Sequence, residues 1–109
     1  ALEPQAMIFA RVTGNVVCTL KDEKLVGAKL MLLQPVDLLG AAKGNPLVAV
    51  DAVGAGEGEL VLVVQGSSAR QTSRTTGNPV DAVIFAIVDT VEQGGKKVFQ
   101  KSQDQYAAR

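Results

Sequence analysis

The chain has no histidine, no tryptophan and a single cysteine in 109 residues. Without histidine, the usual serine-hydrolase scheme has no base. A lone thiol, Cys18, cannot close an internal disulfide, which fits a reducing compartment such as a cytosol. Set in Val16-Val17-Cys18, it is expected to act as a small buried hydrophobe. Aromatic residues make up only 4%, so the core must be aliphatic. An excess of charge is missing too, with eleven basic and eleven acidic residues and a formal net charge of zero. Nucleic-acid binders draw most of their affinity from neutralising phosphates, so balanced charge argues against that role. No apolar run approaches the ~20 residues that cross a bilayer. The start, ALEPQAMIFARV, lacks the basic segment and long apolar core of a signal peptide. Met7 reads as a natural first residue, and Ala1–Ala6 as an expression remnant or a disordered N-terminus.

Hydrophobic residues nevertheless reach 47%, enough for one domain with a real core. Small aliphatic side chains suit the tapering interior of a compact β-barrel. Ile8–Leu20 alternates as a strand, with Gly14 marking a bulge or corner. Lys29–Val36 and Leu47–Val53 read as the second and third strands. Glu59–Val64 reads as the fourth strand, and its apolar run Leu60–Val64 predicts that it is covered on both faces. Ser67–Thr75 reads as a short helix, capped by Ser67 or Ser68 and ended by Gly77 and Asn78-Pro79. Val80–Glu92 is expected as a fifth long strand. Gln93-Gly94-Gly95 is a hairpin turn into Lys96–Gln100, and 102–109 is a polar tail. The expectation is an all-β domain over residues 7–101. It is a small five-stranded OB-like barrel with one short helix between the fourth and fifth main strands.

The segment Gly54–Asp89 holds most of the specific turn chemistry but no reactive group. Gly54-Ala55-Gly56-Glu57-Gly58 invites a nucleotide reading and fails it: a dinucleotide fingerprint needs glycine at Glu59 and a helix afterwards. A phosphate loop would end Gly-Lys-Ser/Thr, and the two glutamates would repel phosphate. A tight turn between strands explains the glycines better. Ser67 and Ser68 lack a base and serve as caps. Asp51, Glu57, Asp81 and Asp89 have no spacing that supports paired-carboxylate chemistry. Asp81, just after Asn78-Pro79-Val80, is suited to satisfying turn amides. No spacing suggests a metal site. Arg70 and Arg74 share a helix face, either solvated or pairing with a neighbouring subunit. No catalytic residue, cofactor or metal is therefore expected.

Several separated motifs together resemble the EutN/CcmL family, the pentameric vertex proteins of bacterial microcompartment shells. They are Ala10–Thr19, Lys29–Gln34, Gly54-Ala55-Gly56 with Glu59 and Val61-Leu62, Gly66–Gln71, Pro79-Val80-Asp81 and Ile87-Val88-Asp89. The resemblance spans roughly Met7 to Lys101. It implies a barrel that assembles as a ring of five, has no catalytic activity, and caps the five-fold vertices of a shell tiled by hexameric proteins. The setting implied is the bacterial cytoplasm, in a carboxysome or a catabolic compartment. Neither nucleic acid nor membrane is an expected partner. The interface or five-fold axis is expected at Gly54, Gly56, Gly66, Ser67, Ser68, Arg70 and Asp81, with Arg70 bonding across subunits. Two rivals remain. An OB-fold module binding nucleic acid or a ligand would use the basic end (Lys96, Lys97, Lys101 and Arg109 against Asp104), but it calls for stacking aromatics, and three Phe, one Tyr and zero net charge serve it poorly. A small enzyme would use Ser68 or Asp81.

Overall fold

A computed structural model describes residues 7–19, 27–66, 82–101 and the backbone of 105–106. Five strands close a barrel: β1 (Met7–Val16), β2 (Leu30–Pro35), β3 (Leu47–Asp51), β4 (Leu60–Gln65) and β5 (Ala82–Ile87). Their order around the barrel is β1-β2-β3-β5-β4, and β4 pairs back onto β1. All neighbours run antiparallel except β3 and β5, which pair in parallel through Val50–Val83 and Asp51–Ile84. A second, three-stranded sheet comes after it: β6 (Thr90–Gln93), β7 (Lys96–Gln100) and β8 (Gln105–Tyr106). The expected five-stranded barrel is present, and no α-helix occurs among the described residues. The helix expected over Ser67–Thr75 falls outside them.

The alternation of each strand sorts its side chains into two layers. Ala10, Val12, Met31, Leu33, Ala49, Val61, Val63 and Ile84 point inward and form an aliphatic core without a ring. On the opposite faces of β1 and β4, Phe9, Leu60 and Leu62 meet Val36, Val88, Val91 and Phe99. The β6–β7 hairpin thus covers one outer sector of the barrel. This is why β4 carries apolar residues at consecutive positions: Val61 and Val63 face the interior while Leu60 and Leu62 face the hairpin.

Two bulges adjust the alternation. In β1 the register jumps between Val12 and Gly14, so Thr13 is the extra residue and Gly14 is turned outward opposite Leu32. In β5, Ile84 pairs with Val63 but Ala86 with Leu62. Phe85 is therefore the extra residue, and Ile87 returns to the inner layer beside Val61.

Three sequence readings need correction. The long fifth strand is two strands: Val88 N–H still donates to Leu60 O at 2.9 Å, the last step in register with β4, which starts at Leu60. With no β4 residue left to pair, the chain passes on to β6 at Thr90. Cys18 is exposed rather than buried; β1 ends at Val16, and Val17 beyond it is 95% exposed. In the stretch read as a tail, Gln105 and Tyr106 pair with Gln100 and Phe99 of β7. The hairpin turn is as expected: Gln93 pairs with Lys96, and Gly94 and Gly95 take φ of 61° and 79°, the left-handed pair of a type I′ turn.

Candidate assembly surface

The connection from β3 to β4 is fastened by side chains from several parts of the chain. β3 ends at Asp51, a buried carboxylate whose Oδ1 accepts the N–H groups of Val53 and Gly54, each at 3.0 Å. A buried oxygen holding two turn amides is structurally satisfied, which accounts for Asp51 without catalysis. Gly54 comes next at φ 78°, a backbone state that strains any residue with a Cβ. Ala55 then plugs the barrel interior at 0% exposure, and its carbonyl accepts from Lys29 Nζ at 3.4 Å.

The turn closes on Glu59. Its Oε1 accepts the Gly56 N–H at 2.7 Å, and its Oε2 pairs with Lys101 Nζ at 2.8 Å. Gly58 N donates to Val12 O at 2.8 Å and Val12 N donates to Glu59 O at 3.0 Å, stitching the turn to β1. Arg11 donates through Nη1 to Gly58 O and lays its guanidinium 5.9 Å from the centre of the Phe99 ring. Lys101 N in turn donates to Asp89 O at 2.7 Å. The β3–β4 turn, β1 and the end of β7 are therefore one hydrogen-bonded unit.

Glu59 sits at the electrostatic centre of that unit. The hydrogen bond from Lys101, with the one from Gly56 N–H second, holds its carboxyl below the ordinary carboxylate range, and the Lys101 ammonium is correspondingly raised. A depressed carboxyl stabilises the fold above its unfolded pKa and ceases to do so as pH falls through its folded pKa. Wild type is therefore expected to melt above Glu59→Gln at pH 7, the gap closing below roughly pH 4. The pair is partly exposed, so salt should shrink the gap. A gap independent of pH, measured by melting curves, would contradict this role.

Of the residues expected at an interface, Gly54 and Gly56 lie in this turn and Gly66 directly follows β4 at φ 73°. Gly54 and Gly66 are exposed and Gly56 is half-buried. A Cβ at Gly56 would meet only Glu59 Oε1 at 3.7 Å, an ordinary contact. Ser67, Ser68, Arg70 and Asp81 lie outside the described residues. Sequence reading did not bring Arg11, Glu59, Phe99 and Lys101 together. Their partners are remote in the chain, 47 residues from Arg11 to Gly58 for example, and no local pattern signals such a pairing. Phe99 is 1% exposed, packed from the hairpin onto the barrel with Arg11 over its ring, so it offers no face on which a base could stack. Among the described residues no three His, Cys, Asp or Glu side chains converge.

These features define a small closed β-barrel that presents a rigid surface turn. A family model described as "Ethanolamine utilisation protein EutN/carboxysome" matches residues 7–89. The chain is 47% identical over 95 residues to a bacterial microcompartment shell vertex protein EutN of Salmonella typhimurium, covering 87% of this chain and 96% of that one. A solved structure of Gloeobacter violaceus CcmL superposes with a TM-score of 0.81 at 41% identity, covering 87% of this chain and 98% of that one. The GrpN pentameric microcompartment shell protein from Rhodospirillum rubrum superposes with a TM-score of 0.71 at 43% identity, over 79% of this chain and 98% of that one. The chain belongs to the EutN/CcmL family.

Proposed function

We propose that this chain is a vertex protein of a bacterial microcompartment shell, in the bacterial cytoplasm. Five copies form a ring that fills a five-fold position among hexameric shell proteins. The observation that carries this reading is the near-complete match to a shell vertex protein, spanning 96% of that relative rather than a shared fragment. The function is geometric: a sheet of flat hexagonal units closes only where pentagonal units impose curvature. A unit that sets an angle needs a stiff subunit, and the β3–β4 turn, held to β1 and β7 by Arg11, Glu59 and Lys101, supplies stiffness. Catalysis has no part in this role.

A ring of five uses a heterologous contact, in which one patch meets a different patch on the next copy. We place one patch at Gly54, Gly56, Gly66, Ser67, Ser68, Arg70 and Asp81, with the Arg70 guanidinium bonding to the neighbouring subunit. Subunit counting by native mass spectrometry tests both parts. Wild type should fly as five copies, and Arg70→Ala should populate smaller species and lose heat stability. An Arg70→Ala ring as complete and as heat-stable as wild type would remove Arg70 from the interface.

A further inference from the structure

The outer surface of the barrel is covered by the chain itself in one sector, where the β6–β7 hairpin packs on Phe9, Leu60 and Leu62. On β2 and β3 a row of outward side chains is uncovered. Leu32 and Val48 stand directly opposite each other in the β2–β3 register and are 36% and 45% exposed. Across β1 the same row continues at Gly14, which pairs with Leu32 and has open space where a Cβ would be. The row carries no charge, and the neighbouring Thr13 hydroxyl is already engaged with Leu32 O at 3.1 Å.

We infer that this β2–β3 face, centred on Leu32 and Val48, is the second patch of the subunit–subunit contact and is covered by another copy of this chain. The inference rests on the ring reading proposed above. A β-sheet surface that is apolar and free of charge has the composition of an interface centre, where charged residues are depleted. The family points to the occupant: a relative 43% identical over nearly its whole length is a pentameric shell protein. In such a ring each chain has a copy on either side and must offer two different surfaces. The β3–β4 turn supplies one of them. The Leu32–Val48 face lies on the sheet itself, and its glycine corner at Gly14 lets a neighbour approach the backbone closely. Among the described residues, the other exposed leucines are Leu38 and Leu39, in the loop after β2. Asp37 Oδ1 holds that loop by accepting the N–H groups of Leu39 and Ala41. They form a separate surface and serve as the control.

The test compares two charged variants of the full chain by native mass spectrometry, with circular dichroism to confirm the β fold. Leu32→Lys with Val48→Lys should shift the five-copy species to monomer, while Leu38→Lys with Leu39→Lys stays assembled. Retention of five copies in the first variant, or equal dissociation of both, would overturn the inference. Because lysines on a sheet can unfold a barrel, a milder pair gives an independent reading. In a Cys18→Ser background, Val48→Cys should react with a maleimide more than roughly tenfold slower than Leu39→Cys, as expected for a residue at an interface centre. Equal reaction rates in the assembled protein would overturn the inference. A wild-type count other than five would instead defeat the ring reading beneath it.

Discussion

Cells that make the compartment but lack this protein are expected to contain elongated or open shells that leak their intermediates. The expectation comes from geometry. Hexagonal units tile a plane or roll into a tube without strain. Closing a tube's ends or rounding a sheet requires positions of five-fold symmetry. If this chain supplies them, its loss removes closure and leaves the facets intact. Electron microscopy of sectioned cells reads the shapes, and accumulation of the enclosed pathway's intermediate outside the compartment reads the leak. Wild-type chain supplied in trans should restore closed polyhedra. Closed, impermeable polyhedra in the deletion strain would contradict the vertex role.

The largest effect on the folded chain is expected from Phe99→Ala. Phe99 is 1% exposed and is the largest fully buried side chain among the described residues. It joins the hairpin to the outer faces of β1 and β4 through Phe9, Leu60 and Leu62. Truncating a buried Phe costs about 3–5 kcal/mol, a large part of the about 5–15 kcal/mol that holds most domains folded. The change also strips Arg11 of its aromatic neighbour and loosens the unit that anchors Gly58. Urea unfolding at fixed protein concentration measures the loss; concentration must be fixed because assembly adds to apparent stability. A loss below about 1 kcal/mol would mean that the hairpin is not held by Phe99.

Local patterns carried much of the fold. Alternation in β1, the unbroken apolar run of β4 and the Gly94-Gly95 turn each have a physical signature within a few residues. Closure did not. The parallel contact of β3 with β5 rests on two residue pairs and joins strands separated by a long stretch of chain, which no window of sequence reveals. Val80–Glu92 reads as one strand because apolar residues continue through Val88. The break falls where the partner strand ends: β4 starts at Leu60, which accepts the Val88 N–H as the last bond in that register. Cys18 reads as buried because its neighbours are apolar, yet β1 stops at Val16 and leaves Val17 and Cys18 in solvent.

The candidate surface was legible in part. Gly54 reads directly as a turn former, and its φ of 78° agrees. Glu59 stands out as part of a motif, but its bonds to Gly56 and Lys101 depend on bringing the end of β7 beside the turn. The Leu32–Val48 face is invisible as a surface in the sequence. Lys29–Val36 is so continuously apolar that only the register with β3 tells which leucines face outward.

The most direct test of the central claim is the number of subunits in the purified wild-type protein, counted by native mass spectrometry at micromolar concentration and near-neutral pH. A ring that closes a five-fold vertex predicts a single dominant species of five chains. A strict monomer, or a ring of six that would merely extend the facets, would contradict it.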